Sequence, residues 1–269
     1  MKELFEYSGL TTKIRAMQRN SLKQADYDAL MNMKSIDEIA RFLKEHPAFE
    51  EILKEIDLNN VHREELELLL PRKVLIQYEV LEKFAQMQNK NVISNFVPQN
   101  GMKYDYVKAW NAIQNMTESK QKQMLLKIVG SEIDIINILN IYRMKKYYGI
   151  PVEKIYTELL SPRYKLTKPQ IISMVESKNS DELLSLVQKT IYSSIFKSQD
   201  SGVTSYENNF IKFMLKIHLI AFQKMQYSFV ALKYFVFTSR LEVRNIISII
   251  EGVRYNLTPE AIKQYLIFN

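Results

Sequence analysis

The chain has 269 residues, 46% of them apolar and 25% charged, with a formal net charge of +7. That is enough apolar material for a real core in one large domain or two ordinary ones, and it excludes a disordered tail. There are only six glycines, the closest pair being Gly130 and Gly149, so no P-loop, dinucleotide turn or nucleophile elbow can be written. Residues 1–15 carry Lys2, Glu3, Glu6, Lys13 and Arg15, which breaks the apolar stretch a signal peptide needs. Ser35-Ile-Asp-Glu38 then predicts a helix start with a capping box. The same signal recurs at Thr167-Lys-Pro-Gln170 and Ser239-Arg-Leu-Glu242, and Thr258-Pro259-Glu260 places proline at a first helical position. The greasiest stretch, 210–237, holds Lys212, Lys216, Lys224 and Lys233, too many charges for a membrane span. With helical periodicity throughout and few turn-forming glycines, the expected fold class is all-α.

Chemistry-bearing residues are scarce. Cysteine is absent, which removes disulfides, thiolate nucleophiles and cysteine-ligated metal sites. His46, His62 and His218 have no metal-ligand spacing, and no Glu-x-x-His occurs. Ser119-Lys-Gln-Lys122 and Ser194-Ile-Phe-Lys197 match Ser-x-x-Lys without the companion motifs of that enzyme class. The expectation is therefore no catalytic residue, no cofactor and no metal. Residues 1–100 are slightly acidic overall and 101–269 strongly basic, an asymmetry that suits an anionic neighbour or a solvated helix surface.

The informative feature is a repeat. SEIDIINILNIYRMKKYYGIPVEKI (131–155) aligns with SRLEVRNIISIIEGVRYNLTPEAI (239–262) with one gap before Tyr148/Tyr255. Ser131/Ser239, Asn137/Asn245, Ile138/Ile246, Ile141/Ile249, Glu153/Glu260 and Ile155/Ile262 are identical pairs. Asp134, Asn137, Asn140 and Arg143 recur at steps of three, and Glu242, Asn245, Ser248 and Glu251 occupy the matching positions. Each step of three turns a helix by about 60°, so the four polar groups wind across one side of an otherwise apolar helix. Buried there, they need partners, and the pattern predicts an inter-helix hydrogen-bond network used twice.

SIDEIARFLKEHPAF (35–49) also resembles SDELLSLVQKTIY (180–192). Both halves occur together only at 131–196, with the first half repeated at the C-terminus and the second at the N-terminus. That permuted order predicts a closed ring of similar helical units. They are 239–269 with 1–56, closing through the termini, a degenerate 57–130, and 131–198, with 199–238 as connecting helices.

Residues 13–56 (KIRAMQRNSLKQADYDALMNMKSIDEIARFLKEHPAFEEILKEI), 130–166 (GSEIDIINILNIYRMKKYYGIPVEKIYTELLSPRYKL) and 242–266 (EVRNIISIIEGVRYNLTPEAIKQYL) resemble the C subunit of V/A-type ATPases, the family of the eukaryotic V-ATPase d subunit. The resemblance implies a funnel of three similar helical bundles with pseudo-threefold symmetry. It also implies a non-catalytic central-stalk subunit that couples the rotating shaft to the membrane proteolipid ring during ATP-linked proton or sodium transport. The implied partners are the central shaft subunits and the proteolipid ring, with no nucleic acid. The implied location is the cytoplasmic face of the membrane, held there through the complex, and the isolated chain is expected to be monomeric. Two other readings remain open on the residues alone: a helical protein-binding scaffold unrelated to rotary ATPases, and a basic nucleic-acid-binding helical protein.

Overall fold

The computed structural model describes residues 2–58, 61–84, 104–197 and 202–268, and every regular element among them is helical. In chain order these are α1 (Lys2–Arg19), α2 (Gln24–Met31), α3 (Ile36–Glu45), α4 (Arg63–Leu69), α5 (Arg72–Lys83), α6 (Tyr106–Gln114) and α7 (Lys120–Arg143). After a π turn at Met144–Tyr148 come α8 (Val152–Thr157), α9 (Lys168–Glu176) and α10 (Ser180–Val187). A 3₁₀ turn at Ser193–Phe196 precedes α11 (Val203–Lys224), α12 (Phe229–Arg254) and α13 (Pro259–Lys263). The chain forms two compact units, residues 1–105 with 222–269, and residues 106–221.

The first unit is built around α12, against which α1, α2, α3, α5 and α13 pack. Phe229, Val230, Ala231 and Leu232 are all buried although consecutive, the mark of a helix enclosed on every side. Tyr7 meets Phe229 edge-on with ring centroids 5.2 Å apart, and Tyr27 meets Phe268 edge-on at 5.1 Å. The segments nearest the two ends of the chain thus share one core.

In the second unit α7 takes the central place, packed by α6, α9 and α10. The π turn explains the gap in the self-alignment. A π turn uses a longer hydrogen-bond step than an α turn, so it houses one extra residue without ending the helix. It closes on Gly149 at φ 55°, and α12 closes on Asn256 at φ 54°, the position that aligns with Gly149. Both helices therefore end on the same left-handed residue, where glycine and asparagine are the best tolerated types. Tyr148 and Tyr255 precede these turns and are 69% and 63% exposed.

Several helix starts repeat as well. Asp26 accepts from Lys23 N–H at α2, as Gln170 accepts from Thr167 N–H at α9. Ser35 accepts from Glu38 N–H at α3, while Asn179 accepts from Asp181 and Glu182 N–H at α10. Glu38 reaches back to Lys34 N–H and Glu182 to Lys178 N–H. The structural counterpart of Ser35 is thus Asn179 rather than Ser180. Thr258 caps α13 through Ala261 N–H.

One expected helix start is wrong. Ser239 lies buried in the middle of α12, whose cap is Ser228, accepting from Val230 N–H. Serine followed by glutamate three positions on has the same letters inside a helix as at its start. Here the buried apolar run before Ser239 keeps the backbone helical, and Glu242 is released for another task.

Candidate functional site: a polar seam present in two units

In the second unit, Asp134 on α7 is fully buried and receives four donors. Tyr164 N–H donates to Oδ1 at 3.1 Å. Lys165 N–H, Leu166 N–H and the Tyr192 hydroxyl donate to Oδ2 at 2.7, 3.1 and 2.8 Å. One turn on, Asn137 makes a two-way clamp on Leu160. Its Nδ2 donates to the Leu160 carbonyl at 3.0 Å and its Oδ1 accepts from Leu160 N–H at 2.9 Å. The two side chains together fasten the returning segment 160–166 along α7. Gly130 permits a close approach, since a Cβ there would lie 2.5 Å from Tyr164 Cβ and 2.8 Å from the Trp110 ring.

The first unit repeats the clamp with residues from opposite ends of the chain. Asn245 donates to the Ile267 carbonyl at 2.8 Å and accepts from Ile267 N–H at 3.2 Å. Glu242 accepts Leu22 N–H at 2.7 Å through Oε1, and its Oε2 pairs with the ammonium of buried Lys73 on α5. Leu22 stands to Glu242 as Leu166 stands to Asp134. Beside this pair a cleft of about 390 Å³ opens, with Ser21, Thr238, Glu242, Asn245 and Phe268 on its walls.

The outer members of the seam diverge. Asn140 accepts from Arg143 at 3.2 Å, and Arg143 pairs with Glu207 on α11. The matching Glu251 pairs with Arg63 on α4 and lies 3.6 Å from Arg254, while Ser248 is half-buried. Opposite charges at Arg143 and Glu251 thus each find a counter-charge, with the sign exchanged. Half-exposed pairs of this kind contribute about 0–1 kcal/mol, so the inner positions carry the structural weight.

Sequence reasoning misses Lys73 and Tyr192. Leu70, Lys73, Val74, Tyr78 and Leu81 fall on one helical stripe, and all five are buried. A lysine inside such a stripe is the signal that points to a buried pair. Its ammonium also faces the Phe49 ring, with Nζ 4.3 Å from the centroid. His218 and Glu132, both buried, approach to 3.6 Å in the second unit. Among the described residues no group of three or more His, Cys, Asp or Glu is arranged to hold a metal ion.

The sequence profile of the ATP synthase (C/AC39) subunit family matches residues 10–100 and 99–265. The chain belongs to this family. It is similar to the C subunit of the A-type ATP synthase of Methanococcoides burtonii, 25% identical over 207 residues, covering 77% of this chain and 48% of that one. It is also similar to the C subunit of the A-type ATP synthase of Methanosarcina barkeri, 24% identical over 153 residues, covering 55% and 41%. Aligned regions therefore span about half the length or less of these C/AC39 relatives. Both copies of the seam, 134–143 and 242–251, lie inside the part that the family profile matches.

The seam geometry of this C/AC39 chain makes its side chains testable one by one. Asn137→Leu and Asn245→Leu should each destabilise by roughly 1–3 kcal/mol, because each leaves a backbone N–H and carbonyl without their partner, part-buried at Leu160 and buried at Ile267. Hydrogen exchange should quicken at the Leu160 amide in the first variant and at the Ile267 amide in the second. Neutral stability in both would remove the clamp reading. Lys73→Met should cost roughly 3–5 kcal/mol by stranding the Glu242 carboxylate, and adding Glu242→Gln should recover most of that loss. A double-mutant cycle by urea unfolding measures the coupling, and additive losses would show that the two groups act separately.

A pH effect has the opposite origin. Burial pushes the phenols of Tyr27, Tyr78 and Tyr192 above the ordinary value of 10.0, with Glu242 adding to the effect on Tyr27 and Asp134 to that on Tyr192. Native tyrosines then keep protons that the unfolded chain gives up, so their contribution is intact below pH 10 and is lost as pH rises above it. Burial draws Lys73 below 10.5, against the pull of Glu242, which gives the reverse slope just below that pH. Three phenols outweigh one ammonium, and helicity should collapse cooperatively above pH 10. Followed residue by residue through their ring NMR signals, Tyr27, Tyr78 and Tyr192 should lose their protons only with that collapse, and their ionisation in a still-helical protein would contradict the assignment.

Proposed function

We propose that this chain is a non-catalytic central-stalk subunit of a V/A-type rotary ATPase, joining the rotating shaft to the membrane proteolipid ring. The observation that carries the reading is the family match running from residue 10 to residue 265. The physical properties agree with such a task. A torque coupler must resist twisting, and two helical units of few glycines, each pinned by buried side-chain clamps on its central helix, have few soft backbone positions. Attachment to the ring would be peripheral, on its cytoplasmic face, and no described helix is long and apolar enough to cross a membrane. The exposed Tyr148 and Tyr255, each at the end of a central helix, offer the same amphipathic contact twice.

The test is purification of the assembled complex from native membranes through a tag on this chain. Shaft subunits and the proteolipid should co-purify, and the pure chain alone should hydrolyse no ATP. Recovery without any other rotary ATPase component would overturn the reading and favour a helical protein-binding scaffold that works outside such a complex.

A further inference from the structure

The turn that follows α3 has a counterpart after α10. With Ser35 and Asn179 as paired cap residues, His46 falls on Thr190 and Ala48 on Tyr192. The same backbone amide is held in both units. Tyr192 N–H donates to the Thr190 hydroxyl at 3.2 Å, and Ala48 N–H donates to His46 Nδ1 at 3.2 Å. A hydroxyl keeps its acceptor lone pairs through the neutral pH range, whereas an imidazole loses its acceptor nitrogen on protonation. The first unit thus carries a titratable group where the second carries a neutral one.

The surroundings of His46 make that difference matter. Its side chain is only 16% exposed, and its ring meets those of Phe42 and Phe49 at centroid distances of 6.3 and 6.0 Å. Because Nδ1 accepts, the neutral ring carries its proton on Nε2. Nε2 lies 4.0 Å from Asp26 Oδ2, too far for a hydrogen bond, and the same oxygen accepts Lys23 N–H at the start of α2. Phe49 is fully buried and also faces the Lys73 ammonium. Among the described residues, the charged groups acting on the imidazole are Asp26 and Lys23 at α2, Lys73 on α5 and Glu242 on α12. Burial draws its pKa below 6.5, against the pull of Asp26 and Glu242, and Lys73 and Lys23 add to the lowering.

We propose that His46 is a proton-sensitive latch on the turn that seats Phe49. In its neutral form Nδ1 holds the Ala48 amide and the turn is closed. A proton taken from solvent onto Nδ1 makes it a donor facing another donor, so the bond to Ala48 is lost and the imidazolium turns towards Asp26. The turn 46–49 then opens and loosens Phe49 from Lys73, the partner of Glu242. The native imidazole binds its proton less well than the unfolded one, so the latch is intact above pH 6.5 and yields as pH falls below it. The proposal does not depend on the shaft-and-ring reading, because it rests on the internal comparison of the two turns.

The test is amide hydrogen exchange of the full chain between about pH 8 and pH 5, expressed as protection factors to remove the intrinsic pH dependence of exchange. Protection of the Ala48 amide should be level above pH 6.5 and should fall below it by up to about tenfold per pH unit, the limit for one proton. His46→Thr, which copies the second unit, should keep that protection level throughout. The His46 ring signals of the natural chain, followed by NMR, should titrate with a midpoint below 6.5 and move together with the Ala48 amide signal. That measurement decides even if His46→Thr fails to fold. Level Ala48 protection in the natural chain would overturn the proposal. So would an equal fall in folded His46→Thr, or a ring that titrates without moving the Ala48 amide.

Discussion

Asp134→Leu is expected to cost more than about 4 kcal/mol, in the range reserved for the loss of buried polar networks. The carboxylate is fully buried and accepts three backbone N–H groups and the Tyr192 hydroxyl. Hydrogen bonds to a charged group contribute about 1.5–3 kcal/mol each, and every donor left buried without an acceptor costs about 1–3 kcal/mol. Leucine removes all four acceptor contacts at once and supplies none. Asp134→Asn keeps the shape but presents an amide N–H₂ toward existing donors, so it should fall between the natural chain and leucine. The measurement is urea unfolding combined with residue-resolved hydrogen exchange, since two compact units need not unfold in one step. Protection should be lost first at Tyr164, Lys165 and Leu166. A cost under about 1 kcal/mol for leucine would mean that packing alone holds that segment.

Deleting residues 257–269 should loosen α1, α2 and α3, which lie at the other end of the sequence. Ile262, Leu266 and Ile267 are buried, and Ile262 packs so closely that a Cβ on Gly252 would stand 2.5 Å from its Cγ1. Burying such side chains contributes roughly 1.5–3 kcal/mol each, so the three approach the whole stability of a domain. The deletion also removes the Asn245 clamp on Ile267 and the Tyr27–Phe268 ring contact. Exchange should therefore quicken between residues 13 and 55 more than between 131 and 196. Unchanged protection at 13–55, with loss confined to 239–256, would show that the chain ends do not support one another.

Asp134 and Glu242 show where sequence reasoning reaches and where it stops. Polar groups at steps of three in an apolar helix are visible in the letters, and so is their recurrence. Burial follows from the apolar surroundings, and the need for partners follows from burial. The partners themselves are not legible. Leu160 and Ile267 offer Asn137 and Asn245 their backbone groups, which every residue carries, so nothing in their identity marks them. Lys73 is separated from Glu242 by most of the chain, and only the packing of α5 on α12 brings them together.

Local physics is readable wherever one helix turn decides the outcome. Thr167 and Gln170 close a reciprocal box, Thr258 caps ahead of Pro259, and the gap in the repeat reappears as the π turn at Met144–Tyr148. Ser239 marks the limit, because a buried apolar run overrules its capping pattern and carries α12 straight through it. Side-chain period and residue chemistry, which act over a few residues, are enough to make the chain helical, poor in catalytic groups and built on a repeated helix with a polar seam. They do not reach far enough to say that Lys73 neutralises Glu242, or that one seam encloses its own chain while the other borders a cleft. Both of those depend on which distant backbone lies alongside, a long-range choice set by the packing of whole helices.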